Sequence, residues 1–160
     1  MQITRATDYA VRILIHLAMS PDDARVAASE LARETKAPES FVSKVLQQLV
    51  QRGMVTSRRG AGGGFELAIQ PEKVSLLDVV EMIEGPLQIN LCLPGEETCD
   101  RKSWCKVHPI WSEAQDALKR VLSSATIAGL ARGSLENPVK PAGGNGTNGN
   151  TKAAIKIVPA

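Results

Sequence analysis

The chain has 160 residues, a length that suggests one domain with short appendages. Its hydrophobic content of 43% can supply a core, but with two Trp, one Tyr and two Phe the packing must come mainly from aliphatic residues and alanine. The formal net charge of +2 excludes a globally basic nucleic-acid-binding protein, so any contact with DNA must come from locally placed Arg and Lys.

Three amphipathic helices are predicted in the N-terminal third of the chain. Apolar residues recur at helical spacing over residues 4–19, 28–36 and 38–52. Ser29 is the expected N-cap of the second helix. The third helix opens with proline in its first turn and is followed by Gly53, where a left-handed C-terminal cap is expected.

The hydrophobic period then changes from that of a helix to that of a strand. Residues 54–59 and 64–69 are predicted to be two short strands, and the glycine-rich run 60–64 between them predicts a β-hairpin. Further along, Ser75 and Asp78 resemble a capping box, which opens a helix closed by Gly85 and Pro86.

The C-terminal part of the chain predicts one long helix, one short helix and a tail. Five apolar residues recur at steps of 3, 4, 3 and 4 and form a seam for packing against another helix, in this or a second subunit: Trp111, Ala114, Leu118, Val121 and Ala125. A short helix is expected over 126–131. Residues 133–160 are rich in Gly, Asn, Pro and Ala, a composition typical of a disordered tail.

Together these elements predict a mainly α fold, a winged helix-turn-helix with a small β-hairpin wing and a long C-terminal helix. The third helix has a polar face whose Ser, Gln and Lys side chains can hydrogen-bond base edges or phosphates in the major groove. Its members are Glu39, Ser40, Ser43, Lys44, Gln47, Gln48 and Gln51. Arg58 and Arg59 lie beside the glycines of the hairpin, where backbone can approach a phosphate closely.

The charge of this N-terminal region favours binding to DNA as a pair of subunits. Residues 1–72 carry nine basic and eight acidic side chains, a balance of +1, so non-specific affinity is expected to be modest. Specific binding is therefore expected to need two copies of the chain on a palindromic site of double-stranded DNA. A winged helix that serves as a protein-interaction module without DNA is the alternative.

All three cysteines and one of the two histidines lie in a single 17-residue segment, 92–108. Six residues separate Cys92 from Cys99, five separate Cys99 from Cys105, and two separate Cys105 from His108. This spacing is looser than the close pairs of a zinc knuckle, and thiolates with one histidine are a known ligand set for iron–sulfur clusters. Zinc and free thiols are the alternatives.

The number of cysteines and the length of the apolar runs predict where the protein is located. The odd cysteine number excludes a complete set of internal disulfides, and no apolar run approaches the roughly 18 residues of a membrane span, so we expect a cytoplasmic protein that does not associate with membranes. A catalytic pair of Cys105 and His108 lacks a recognisable oxyanion-hole motif or third orienting group. We therefore predict no enzymatic activity and no small-molecule substrate.

The sequence resembles the bacterial iron–sulfur winged-helix transcription regulators, the IscR/NsrR-like family. The matching stretches follow the family's order from residue 1 to about residue 131: 1–18, 29–55, 58–68, 75–87 and 92–111. The resemblance implies a homodimer with a long C-terminal dimerisation helix and a cluster between that helix and the wing domain. It also places Ser40, Ser43 and Lys44 on the recognition helix and Arg58 and Arg59 on the wing.

The family divides over the fourth ligand, and the resemblance offers two candidates. IscR-like members use three cysteines and a histidine, here His108, and carry a 2Fe-2S cluster. NsrR-like members can use an aspartate of the partner subunit near the start of the first helix, here Asp8, and carry a 4Fe-4S cluster. We favour His108 and 2Fe-2S, because Cys105, His108 and Trp111 are spaced as a unit, although the gap of six residues after Cys92 is one longer than in IscR-like members.

The resulting hypothesis is a repressor whose operator affinity depends on a labile iron–sulfur cluster that senses cluster supply, redox state or nitric oxide. The chain divides into a DNA-binding domain (1–86), a cluster-binding segment (87–108), a dimerisation helix region (109–132) and a disordered tail (133–160). A zinc-stabilised or metal-free winged-helix regulator, or an interaction module without cluster sensing, is the alternative.

Overall fold

A computed structural model describes residues 3–21, 24–93 and 99–133. The described residues form six helices and one antiparallel hairpin, which is the predicted mainly α winged helix-turn-helix. In chain order the elements are α1 (Arg5–Met19), α2 (Ala28–Thr35), α3 (Glu39–Gln51), β1 (Val55–Arg58), β2 (Gly64–Leu67), α4 (Leu76–Glu84), α5 (His108–Ser124) and α6 (Ile127–Ala131). Residues 134–160, and hence nearly all of the predicted tail, lie outside the described residues.

The main core is built largely from the apolar stripes that the sequence predicted for α1, α2 and α3. Ile13 and Leu14 of α1, Leu31 of α2 and Leu46 of α3 are all fully buried in one cluster. Each such side chain contributes about 1.5–3 kcal/mol through its removal from water. The helix-turn-helix is thereby held against α1, and the polar face of α3 is left on the outside.

Of the two helix caps predicted from the sequence, one is wrong and one is confirmed. The expectation of Ser29 as an N-cap is wrong, since α2 begins at Ala28 and the extended residue before it is Ala27. The reason is tertiary: Val26 is paired in an extended bridge with Phe65, so the chain can turn into the helix immediately afterwards. The cap expected at Gly53 is confirmed, with a φ of 70°.

The hairpin wing is anchored to the rest of the domain by backbone and by charge. Strands β1 and β2 pair from Val55 with Leu67 to Arg58 with Gly64. Val26 and Phe65 exchange two backbone hydrogen bonds of 2.9 Å, and the Arg25 guanidinium lies 3.2 Å from the Glu66 carboxylate. The base of the two-stranded wing is therefore fixed to the chain before α2 by a single β-bridge and an ion pair.

The two C-terminal helices pack against α4 and α1. The capping box of Ser75 and Asp78 is confirmed at the start of α4, and α5 packs on α4 through a second buried cluster with Val80, Leu87 and Leu122 at its centre. The helix α6 then packs against α1, with Ile127 fully buried in the main core.

The predicted seam along α5 ends earlier than expected. The helix stops at Ser124, and Ala125 is extended and buried within its own chain. Its carbonyl accepts a hydrogen bond of 2.7 Å from the backbone N–H of Leu76, because the chain here forms a bridge between Thr126 and Ser75. Ala125 is therefore not part of a surface of α5 that a second subunit could cover. Among the described residues, none of the helices has the length and apolar character needed to cross a membrane.

Candidate DNA interface and candidate metal site

The outer face of α3 carries the side chains that the sequence singled out for DNA. Ser40, Lys44 and Gln47 are exposed, and Ser43 is half-buried beside them. The opposite stripe of the same helix, with Val42, Val45, Leu46 and Leu49, is buried in the core. The helix is thus fixed by one face and presents hydrogen-bonding groups on the other, which is the arrangement that reading a major groove requires.

The wing adds exposed positive charge. Arg58 is the last residue of β1, Arg59 follows it, and both are exposed. Within the described part of the chain, neither arginine nor Lys44 takes part in an ion pair with a carboxylate. These three charges are therefore uncompensated on the surface and available to a phosphate.

Two glycines fix the shape of the wing. A Cβ at position 63 would lie 2.3 Å from the carbonyl oxygen of Arg58, and a Cβ at position 64 would lie 2.9 Å from that of Val26. Both glycines are therefore required by the close approach of backbone to backbone. They hold the turn that positions Arg58 and Arg59.

The three cysteines are free thiols and all are half-buried. Cys92 is the second-last residue of the described stretch that follows α4, and Cys99 begins the next stretch. Cys105 closes a turn in which its N–H donates to the carbonyl of Arg101 at 2.8 Å. Residues 94–98 of the predicted cluster-binding segment lie outside the described residues. Within the described stretches, no three His, Cys, Asp or Glu side chains are grouped closely enough to hold a metal ion.

The predicted fourth ligand, His108, has an unusual environment. It is the first residue of α5, and its Nε2 is buried without a hydrogen-bond partner among the described residues. A buried ring nitrogen without a partner costs roughly 1–3 kcal/mol, so such atoms generally have a partner. With three free thiols in the preceding residues, this donor set fits an iron–sulfur cluster or another thiophilic metal.

The alternative ligand, Asp8, is engaged elsewhere. Its carboxylate lies 3.0 Å from Nε of Arg12 one turn further along α1, and about half of each side chain is exposed. Ion pairs of this kind are worth only a few tenths of a kcal/mol. Asp8 is therefore satisfied within its own helix, although this weak pair does not prevent it from binding another group.

Two side chains that the sequence did not single out hold the chain before Cys92. Oε1 of Glu81, in α4, accepts a hydrogen bond of 3.0 Å from the N–H of Leu87, and it also lies 3.6 Å from Nζ of Lys119 in α5. Oε1 of Gln115, in α5, accepts a hydrogen bond of 3.2 Å from the N–H of Ile89. Nothing in the local sequence pattern indicates these pairings, because they join residues that only the tertiary fold brings together.

A third link joins the end of α4 to the start of α1. The carboxylate of Glu84 accepts hydrogen bonds from the hydroxyls of Thr4 and Thr7 and from the N–H of Thr4. These hydrogen bonds lower the pKa of Glu84, and the bond from the Thr4 hydroxyl has the largest effect, followed by that from Thr7. Desolvation acts in the opposite direction and is outweighed. Glu84 thereby ties the helix that precedes the cysteine segment to the first turn of the helix that carries Asp8.

Comparison with known proteins extends these observations. The family profile described as "Rrf2: Iron-dependent Transcriptional regulator" matches residues 3–133. The transcriptional regulator NsrR of Halalkalibacterium halodurans is 31% identical over 131 residues, which cover 81% of this chain and 90% of that protein. The transcriptional repressor NsrR of Streptomyces coelicolor is 31% identical, with 81% and 88% covered. The structure of CymR, named as the global cysteine regulator of Bacillus subtilis, matches with a TM-score of 0.68 at 28% identity, covering 82% of this chain and 97% of that chain.

Proposed function

Because this chain belongs to the Rrf2 family of transcriptional regulators, we propose that it is a DNA-binding repressor controlled by an iron–sulfur cluster, which Cys92, Cys99, Cys105 and His108 would hold. Binding of DNA and regulation of transcription, rather than enzymatic activity, are the functions of this family. The observation that carries the cluster proposal is the buried Nε2 of His108, which has no partner among the described residues and follows three free thiols.

The chemistry of this donor set supports a redox-sensitive group over a purely structural metal. When bound, such a cluster supplies a centre that responds to oxidants, nitric oxide and cluster supply. The exposed polar residues around Cys99 and Cys105, with Asp100, Arg101 and Lys102, leave the segment accessible to solvent. We favour a 2Fe-2S cluster with His108 as fourth ligand. The partner subunit's aspartate and a 4Fe-4S cluster are the alternative.

The DNA-reading surface in this proposal combines α3 with the wing. Ser40, Ser43, Lys44 and Gln47 would contact base edges and phosphates in the major groove, and Arg58 and Arg59 would contact the backbone beside it. The support is the exposure of Ser40, Lys44, Gln47, Arg58 and Arg59, together with the absence of any ion pair to Lys44, Arg58 or Arg59 in the described residues.

A homodimer through α5 completes the proposal. The N-terminal half of this helix and the turn before it expose large apolar side chains: Trp104, Val107, Ile110 and Trp111, with Val121 further along. A surface of this kind favours burial against a second copy. A two-fold pair would present two α3 helices to a palindromic operator whose half-sites lie about one helical turn, roughly 34 Å, apart.

The side chains around the cysteine segment suggest how its state would reach the DNA. Glu81 and Gln115 fix the chain before Cys92 to α4 and α5, and Glu84 fixes α4 to α1. A rearrangement of the segment would therefore shift α4 and α5 relative to each other. Such a shift changes the spacing of the two α3 helices in the dimer, which is the quantity that an operator reads.

A second candidate is a regulator of the same family without a cluster. It is favoured by the match to CymR, which is described as the global cysteine regulator of Bacillus subtilis. In that case the three thiols would act as free cysteines or bind zinc.

Anaerobic purification of the full chain separates these candidates. The cluster proposal predicts a coloured protein with visible absorption, bound iron and acid-labile sulfide, and an affinity for the DNA upstream of its own gene that changes when the cluster is removed. A colourless protein with stoichiometric zinc, or with no metal and unchanged DNA affinity, would instead support the second candidate. If neither the metal-free nor the cluster-loaded protein binds this DNA, the result would count against the proposed DNA-binding function.

A further inference from the structure

The turn between α2 and α3 contains an unusual backbone conformation. Lys36 has φ 53° and ψ 40°, in the left-handed region, and it is the single non-glycine residue with positive φ among the described residues. The six other described positions with positive φ are glycines: Gly53, Gly60, Gly62, Gly64, Gly85 and Gly133. A side chain with a Cβ is strained in this region and glycine is not, so the turn itself does not account for a lysine here.

Lys36 and Ala37 close this end of α2 through their backbone N–H groups. The N–H of Lys36 donates to the carbonyl of Arg33 at 3.2 Å, and the N–H of Ala37 donates to the carbonyl of Ala32 at 3.0 Å. Such a helix end is most commonly closed by glycine. The side chain of Lys36 is exposed and forms no ion pair within the described part of the chain. Its contribution must therefore be sought outside the subunit.

The carboxylates near Lys36 in the chain do not pair with it. Arg33 already lies 4.0 Å from the carboxylate of Glu30 and 3.2 Å from that of Glu34. Glu39, the first residue of α3, is exposed and would repel an approaching phosphate. Lys36, three residues before Glu39, offsets this repulsion. It lies near the N-terminal end of α3, which is the end that a helix-turn-helix directs at base edges.

We propose that Lys36 is a contact to the DNA backbone, whose ammonium group binds one phosphate beside the groove that α3 enters. The strained turn is retained because the positive charge is needed at that place. This inference rests on the proposed DNA-binding mode, and it adds a site on the turn to those on α3 and the wing. Each dimer would form two such contacts, one per subunit.

The experiment compares Lys36→Ala, Lys36→Gly and Lys36→Arg in the full-length protein. Lys36→Ala removes the charge and keeps the strain, whereas Lys36→Gly removes both. Binding to a duplex of the DNA upstream of the gene, and to a scrambled duplex of equal length, is measured by fluorescence anisotropy at several salt concentrations. The matched control is Lys73→Ala, an exposed lysine in the loop between β2 and α4.

The proposal predicts that Lys36→Ala and Lys36→Gly weaken binding equally on both duplexes, because a phosphate contact carries no sequence information. The slope of log affinity against log salt should fall by about 0.9 for each lost phosphate contact, or about 1.8 for the dimer. Lys36→Arg should keep the wild-type slope. In thermal denaturation without DNA, Lys36→Gly should melt above Lys36→Ala, since only glycine relieves the left-handed strain.

Two results would overturn the inference in distinguishable ways. If the wild-type protein binds its duplex while Lys36→Ala and Lys36→Gly show the affinity and salt slope of Lys73→Ala, then Lys36 contacts no phosphate and the proposed DNA-binding function stands. If the wild-type protein binds neither duplex, the proposed function and this inference fail together.

Discussion

Gln115 of α5 accepts a hydrogen bond of 3.2 Å through its side-chain oxygen from the backbone N–H of Ile89, three residues before Cys92. From the other side, Glu81 of α4 accepts from the N–H of Leu87 at 3.0 Å. Residues 87–89, which lead towards Cys92, are therefore fixed between two helices by one side chain from each. In the proposed regulator these two bonds lie between the sensing segment and the helices that set the dimer geometry.

Replacing Gln115 by Met tests this link, because Met has nearly the same shape but no acceptor of comparable strength. The N–H of Ile89 loses its partner, and we expect a loss of about 1 kcal/mol in the free energy of unfolding. In urea denaturation, Gln70→Met in an exposed loop should stay within about 0.5 kcal/mol of the wild type. In air, Gln115→Met should also lose its visible absorption faster than Gln70→Met does. Equal rates for the two variants would show that the bond between Gln115 and Ile89 does not support the cysteine-containing segment.

The ligand assignment predicts a contrast between the two histidines. His108→Ala should abolish or markedly destabilise the visible absorption of anaerobically purified protein, whereas His16→Ala, half-buried in α1, should leave it unchanged. His108→Cys should retain a cluster, because a fourth thiolate can replace the imidazole. If Asp8→Ala bleaches the protein and His108→Ala does not, the aspartate of the partner subunit is the ligand and our assignment is wrong.

The contact of Glu84 with Thr4 and Thr7 predicts a pH-dependent contribution to stability. These hydrogen bonds lower the folded-state pKa of Glu84 below its usual value of 4.5, so the stabilisation is fully present above that pH and is lost as the pH falls through the folded-state pKa. Because Glu84 is exposed, we expect only about 0.5 kcal/mol.

Glu84→Gln provides the measurement for that contact. Urea denaturation of the two proteins should give a difference in unfolding free energy at pH 6 that shrinks steadily as the pH is lowered towards pH 3. Glu72→Gln is the matched control, since Glu72 is exposed and its carboxylate is 4.0 Å from Arg132. A difference that stays constant with pH would mean that the ionised form of Glu84 contributes nothing.

Local patterns predicted the helices well because each depends on residues close in sequence. The spacing of Ile13, Leu14 and Leu17, the capping box of Ser75 and the left-handed Gly53 are all readable within a few residues. The cap of α2 and the end of α5 were missed, since both are set by extended pairings with distant chain.

The candidate site likewise combines features that the sequence shows with contacts that only the fold creates. The polar face of α3, the wing arginines and the cysteine spacing were visible in the sequence, and their roles as ligands and DNA contacts stay predictions. The bonds of Gln115 and Glu84 span 26 and about 80 residues, so only the folded chain brings their partners together. The strain at Lys36 is a backbone property that its side chain gives no reason to expect.

The dimer proposal makes the final prediction, on the exposed face of α5. Val121 is 39% exposed, and in a dimer it would be removed from water, so Val121→Glu would force a carboxylate into an apolar interface. We expect the dissociation constant of the dimer to rise at least about tenfold, a change of roughly 1.4 kcal/mol. Ser123→Glu, two positions along and so on a different side of the same helix, is the matched control. Sedimentation equilibrium should show Val121→Glu as a monomer at concentrations where Ser123→Glu remains a dimer, and affinity for the operator duplex should fall in parallel. A Val121→Glu variant that sediments as the wild type would place the interface elsewhere on the subunit.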